Sequence, residues 1–350
     1  MPPVRPDMNT LPPDVRAYIE YLEKQLAGSR RAQDERAASS LEPSEAPTSV
    51  QVITISRGGL AKRTPRHLYS RQRRGGMGIF DLDSGDDDPP AFLLTADVSE
   101  RLLVFTDRNR YFSMAVADLP ETSVRGKGEA IRRWIGLQAD EKLAVVIPDR
   151  GGALYLLSDR GWVRKLSRTQ LSHLKVGSLV EVRVGHKPIA ACWGNGGDDL
   201  FIVTRAGQAI RFGERQVPIA GGCLGIRLGQ NDECLAVTTV QEESGVFLAA
   251  DDGKGTVRLM RGFRKNKSPG AGGKVAMKAA RLLCADTVTP GQDVLIISAL
   301  GKLIRFAVDE IPAKEGVVQG VNCMSLRADS AVAATVTDAG APVEEAIGDQ

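Results

Sequence analysis

A short unit recurs six times along this chain of 350 residues, and that repetition constrains its fold more than any other feature. Each unit has an apolar strand, a polar turn closing on Gly, and a second strand with a basic residue near its start. The instances are ITISRGGLAKR (53–63), LLVFTDRNRYFS (102–113), LYLLSDRGWVRK (154–165), LFIVTRAGQAIR (200–211), VFLAADDGKGTVRL (246–259) and VLIISALGKLIR (294–305). Their turn positions are Gly59, Asn109, Gly161, Gly207, Gly255 and Gly301, spaced 50, 52, 46, 48 and 46 residues apart. Asn109 fits the series because Asn, like Gly, tolerates the positive φ of a tight hairpin turn.

Each hairpin leads, about fifteen residues later, to a Gly-bearing loop: Gly75-Gly76, Gly126-Lys127-Gly128, Gly177, Gly221-Gly222, Gly270 through Gly273, and Gly316 with Gly320. Another apolar strand follows, as in LAVVI (143–147), CLAVTTV (234–240) and AVAATV (331–336). Continuous apolar runs such as LLVF and LFIV suit strands buried on both faces, and the dense turn signals decide for strand over helix. Units this small cannot bury their own faces, so they must stack on one another. The expected fold is all-β, a six-bladed β-propeller over 51–338; an open solenoid is the structural rival, and the WD and kelch signatures are absent.

The flanks read differently. Residues 1–12 are expected to be disordered, and 13–37 form a short N-terminal amphipathic helix with Val15, Ile19, Leu22 and Leu26 on one face. That seam either mediates self-association, docks a partner or rests on the propeller. Residues 38–50, ASSLEPSEAPTSV, read as a linker, and 339–350 as an acidic tail.

Net charge is +3, but unevenly placed: residues 1–50 carry −2, 339–350 carry −3, and the body between them carries +8. A basic body suggests an anionic partner, nucleic acid first, although an ordinary solvated surface explains the same excess. No run approaches the ~18 apolar residues of a membrane span, and MPPVRPDMNT lacks the apolar core of a secretory signal. Five cysteines without a CxxC pair read as buried free thiols in a reducing compartment, so the expected location is cytoplasmic, at the nucleoid.

Between Gln51 and Phe80 there is no acidic residue, while Arg57, Lys62, Arg63, Arg66, Arg71, Arg73 and Arg74 occur. At its centre stands Gln72-Arg73-Arg74-Gly75-Gly76-Met77-Gly78. The glycines let the backbone turn sharply and approach another chain, and the arginines present forked donors that match phosphate oxygens. A merely flexible basic loop would look the same in composition.

This heptapeptide resembles the gyrase A box, QRRGG(K/R)G, from the first blade of the DNA gyrase A C-terminal domain family. Six of the seven positions match; Met77 stands where the family has Lys or Arg. GLAKRTPRHLYSRQRRGG, LLVFTDRNRYFSMAVADLPE and RGKGEAI are similar to the same family. The likeness covers roughly 51–338, and six repeats agree with its six-bladed pinwheel. The corresponding part of topoisomerase IV, with a degraded or missing box, resembles the chain less.

The resemblance implies a module that binds double-stranded DNA and bends it around a basic rim, working with or without gyrase or topoisomerase subunits. The residues expected at the phosphates are Gln72, Arg73, Arg74, Gly75, Gly76 and Gly78 of the box, with Lys62, Arg63, Arg66 and Arg71 around it. To these are added the hairpin basics Lys165, Arg211 and Arg305. With Arg63 they recur once per blade, either forming a track or stacking on neighbouring strands. Arg261, Arg264, Lys265 and Lys267 complete the set from a second acid-free run between Asp252 and Asp286. A protein-binding propeller that has lost wrapping is the alternative. No room remains for a breakage-reunion domain, which makes a free-standing module the expectation.

Chemistry of the chain's own finds no support. Arg110-Tyr111 matches the Arg-Tyr pair of type IIA cleavage sites but sits in a propeller hairpin. SPGAGGKV (268–275) has Ser268 and Val275 where a phosphate loop needs Gly and Ser/Thr. His67, His173 and His186 are too separated for a metal site. No enzyme activity, cofactor or metal is expected.

Overall fold

The computed structural model describes residues 12–13, 15–21, 45–85 and 87–340. The chain divides into two compact units, Met1–Glu42 and Pro43–Gln350. In the first, residues 13 and 15–21 are helical. Pro13 takes the first helical position, where its missing N–H costs nothing, and the Arg16 amide donates to the Pro12 carbonyl at 2.9 Å. Val15 is exposed and Ile19 half-buried; Leu22, Leu26 and the rest of the expected helix lie outside the described residues.

The second unit is a ring of six blades, antiparallel except that Ala313–Lys314 runs parallel to Lys254–Leu259 at the edge of the fifth. Each is built on one of the six hairpins: Val50–Ser56 with Leu60–Pro65, Arg101–Thr106 with Tyr111–Ala115, Ala153–Ser158 with Trp162–Leu166, Asp199–Thr204 with Gln208–Gly213, Gly245–Ala250 with Lys254–Leu259, and Asp293–Ser298 with Lys302–Ala307. In every turn the closing residue donates its amide to the carbonyl three back, as from Gly59 to Ser56 at 3.0 Å and from Asn109, at φ +59°, to Thr106 at 2.9 Å. The fifth turn corrects the sequence reading. Its closing residue is Gly253, at φ +80° with its amide 3.1 Å from the Ala250 carbonyl, while Gly255 lies within the strand. In DDGKG either glycine satisfies the pattern, and only the strand register chooses.

A third strand pairs with the other side of each hairpin: Pro90–Asp97, Leu143–Pro148, Pro188–Gly194, Cys234–Val240, Leu282–Val288 and Ala331–Thr337. These six line a central cavity of about 470 Å³. The outermost strand is exchanged. Glu129–Ala130 completes blade 1, Cys223–Leu224 blade 3, Lys274–Val275 blade 4 and Val321–Asn322 blade 5, while on blade 2 a single bridge joins Leu179 to Arg110. Each comes from the rim loop of the following repeat. Ile79–Phe80, from the first repeat, completes blade 6 against Lys302–Leu303 and so closes the ring.

Burial explains why the strands read as unbroken apolar runs. Six hydrophobic clusters occupy the six interfaces between successive blades, and side chains along one strand alternate between two of them. Leu102 and Val104 pack toward blade 1, Leu103 and Phe105 toward blade 3. Leu200 and Ile202 face blade 3, Phe201 and Val203 blade 5. One helix beyond the expected fold appears, Arg168–Ser172 in the third rim loop. Its signal was S-x-x-Q: Ser167 accepts from the Gln170 amide, and the Ser167 amide donates to Gln170 Oε1 at 2.9 Å.

Candidate nucleic-acid interface

The box reaches from blade 1 across blade 6 to the loop that completes blade 5, and most of it holds the seam between these blades together. The Gln72 amide donates to the Arg305 carbonyl at 2.8 Å, the Gly75 amide to the Cys323 carbonyl at 2.9 Å, and the Ser325 amide to the Gly76 carbonyl at 2.9 Å. Gly78, at φ +73°, runs so close to blade 6 that a Cβ there would stand 2.6 Å from the Leu303 carbonyl oxygen. Arg74 is half-buried: its amide meets Glu310 Oε2 at 2.8 Å, and its guanidinium donates to the carbonyls of Glu310 at 3.0 Å and Asn322 at 2.6 Å. Arg71 reaches Asp293 at 2.9 Å. Arg73 and Met77 are exposed to solvent.

The once-per-blade basics turn inward. Arg305, only 1% exposed, donates to Asp293 at 2.8 Å, to Glu45, and to the carbonyls of Arg66 and Tyr69 in the next blade at 3.2 and 3.1 Å. Arg211 repeats this with Asp199 at 2.9 Å and the Met260 carbonyl at 3.0 Å. Arg63 does so with Gln51 at 3.2 Å and the Leu119 carbonyl at 3.0 Å, and also pairs with Glu121. These arginines are struts between blades. The expectation of phosphate contacts is therefore corrected for Arg211 and Arg305, and for two further buried cations. Lys62 is fully buried against Asp81 at 2.7 Å, where burial lowers its pKa against the pull of that carboxylate. Arg66 is bonded to Glu45 at 3.1 Å and to Thr337 at 2.8 Å. Lys165 is half-buried, its ammonium 5.6 Å from the Tyr155 ring centroid.

Arg261, Arg264, Lys265 and Lys267 are all exposed on the fifth rim loop. Arg261 pairs with Glu315 at 2.7 Å and Lys265 with Asp199. Lys175, exposed on the third rim loop, and Arg183, whose guanidinium lies 3.7 Å from the Trp162 ring centroid, were missed by sequence reasoning. Both sit in acid-free runs shorter than the two singled out, 160–180 for Lys175 and 182–197 for Arg183.

Taken from the end of each hairpin to the end of the exchanged strand, the six rim loops are 66–80, 116–130, 167–179, 214–224, 260–275 and 308–322. Together they carry a net charge of +8, the whole basic excess of the body. The rest of the body sums to zero, because +7 on the hairpins and inner strands, where the arginine struts are, is offset by −7 on the segments that connect them.

No group of three or more metal-ligating side chains forms among the described residues. Ser158 Oγ lies 3.1 Å from His186 Nδ1, but both are buried and the serine also takes the Trp162 amide at 3.1 Å. In blades 1 and 2 the same turn position pairs Ser56 with Asp88 and Thr106 with Glu141, each at 2.6 Å, so the contact is a turn brace. Tyr111 is buried beside Phe105, and burial raises its hydroxyl pKa. The five cysteines are unpaired; four are buried and Cys223 is half-buried.

Comparison with known proteins agrees with this architecture. The family model described as DNA gyrase C-terminal domain, beta-propeller, matches residues 51–87, 100–148, 198–241 and 292–336. The DNA gyrase A protein of Escherichia coli (strain K12) is 27% identical over 284 residues, covering 77% of this chain and 32% of that protein. Its Mycobacterium tuberculosis counterpart is 28% identical over 290 residues, covering 79% and 35%. The chain thus spans about a third of the length of the curated relatives it matches. A solved DNA gyrase A C-terminal domain superposes with a TM-score of 0.74 at 19% identity, over 82% of this chain and 99% of that one. The C-terminal domain of DNA topoisomerase IV gives 0.59 at 19% identity, over 83% and 93%. With its fold, its box and half its residues matched by one family model, the chain belongs to the DNA gyrase C-terminal domain, beta-propeller family.

Proposed function

We propose that this propeller binds duplex DNA along its perimeter and bends it, contributing to DNA topology either beside gyrase or topoisomerase subunits or without them. The observation that carries the reading is the net charge of +8 on the six rim loops, against a sum of zero for the rest of the body. Arginine and lysine there meet phosphates through charge-assisted bonds that are blind to base sequence. A ring with an apolar cluster at each of its six interfaces, braced by buried arginines, supplies the stiffness that bending requires, since smooth bending of a short duplex costs on the order of several kcal/mol. Arg73, Arg264, Lys265 and Lys267 are the contacts carried forward from the sequence. The buried box residues act by holding the seam on which Arg73 stands.

The module acts as an accessory and supplies position rather than chemistry. Affinity is expected to be alike on unrelated duplexes, to rise with duplex length until the rim is spanned, and to bring fluorophores at the duplex ends closer together. Binding confined to one sequence, or binding with no end-to-end shortening, removes the bending role. The protein-binding alternative draws on Val176, Leu179 and Val184, exposed at 65, 70 and 81% near the third rim loop.

A further inference from the structure

Charge is not spread evenly around the perimeter. In chain order the six rim loops carry net charges of +4, −1, +2, 0, +5 and −2. Because each loop completes the blade before it, chain order is also angular order, and positive loops alternate with neutral or acidic ones. Acidic groups produce the alternation: Asp118, Glu121 and Glu129 in the second loop, and Asp309, Glu310 and Glu315 in the sixth. Glu315 and Glu310 also hold Arg261 and Arg74 from the neighbouring loops. The third and fifth loops lie outside the segments matched by the family model, so the pattern rests on this chain's own residues.

We propose that the duplex is held at three stations, the first, third and fifth rim loops, and passes over the even loops without phosphate contact. This rests on the DNA-binding reading above. A phosphate backbone is attracted where the local field is positive, and the even loops offer it no net attraction. In a ring of six blades the odd loops stand about a third of a turn apart, so bending strain is shared among three anchors, with the fifth loop the strongest.

Each of the six loops has an exposed cation whose removal tests this without disturbing the core: Arg73, Lys175 and Lys267 on odd loops, Lys127, Arg215 and Lys314 on even ones. Two triple variants remove equal charge from the full chain, Arg73→Ala/Lys175→Ala/Lys267→Ala and Lys127→Ala/Arg215→Ala/Lys314→Ala. Binding to one mixed-sequence duplex is measured across salt concentrations. Each phosphate no longer neutralised takes about 0.9 off the slope of log K against log salt, so the odd triple should lose roughly 2.7 and the even triple less than 1. Equal losses, or a larger loss from the even triple, overturn the stations in favour of a continuous track. If the unmodified protein does not bind duplex, the DNA-binding reading fails first.

Discussion

Arg305→Ala separates a strut from a phosphate contact. The side chain is 1% exposed and joins Asp293, Glu45 and two carbonyls of the next blade. Its removal leaves two buried carboxylates with one cation fewer, and breaking a buried pair typically costs 3–5 kcal/mol. Arg71 still reaches Asp293 and Arg66 still reaches Glu45, which places this part near the lower end. The two carbonyls lose a charged donor, about 0.5–1.5 kcal/mol each. A total of about 4 kcal/mol follows. For a ring of roughly 300 residues the entropy of unfolding is about 0.6 kcal/mol/K, so Tm should fall about 6 °C. Urea denaturation and a thermal melt read the loss; salt-dependent duplex binding by the folded variant reads the other role and should keep its slope. A stability change under 1 kcal/mol together with a slope reduced by about 1 would refute the strut and restore Arg305 to the DNA path.

Within the box, Arg73→Ala should reduce the salt slope by about 0.9 while leaving Tm unchanged, whereas Arg74→Ala should lower stability by about 1–2 kcal/mol through the carbonyls it bonds. Gly78→Val forces a Cβ onto the Leu303 carbonyl at a positive φ, so it should cost about 2–3 kcal/mol and open residues 70–85 to limited proteolysis. Asp286 lines the central cavity, and burial pushes its carboxyl from 3.8 up to about 6 against the opposing pull of Arg150. Between those values the native state keeps a proton that the unfolded chain releases, so stability falls by about 3 kcal/mol as pH rises through the window. Asp286→Asn should abolish that fall, seen as urea midpoints that no longer drop between about pH 4 and 6.

The hairpins, their number and their burial on both faces were legible because strand, turn and Gly recur at nearly constant spacing. The exchange of outer strands was not, since Glu129–Ala130 and Ile79–Phe80 are two residues long and carry no periodicity. An arginine four residues past a turn looks the same in sequence whether it points to water or into the next blade. The clue was a partner twelve residues earlier: Gln51 before Arg63, Asp199 before Arg211, Asp293 before Arg305. Glu45 was unreadable for a similar reason. In a Ser/Pro/Glu segment a carboxylate reads as solvated, yet it is 2% exposed between two arginines. The acid-free runs did point to the perimeter, but charge counting alone did not separate Arg73 from Arg74.

The rim is expected to bend duplex DNA, and ligating nicked circular DNA on the protein tests this most directly. After ligation and removal of the protein, the topoisomer distribution should be displaced from that of the DNA ligated alone, by an amount that grows with protein per circle until the DNA is saturated. The Arg73→Ala/Lys175→Ala/Lys267→Ala variant should shift it less at equal occupancy. A distribution centred where the free DNA lies, at concentrations that fully bind the circle, would contradict the account.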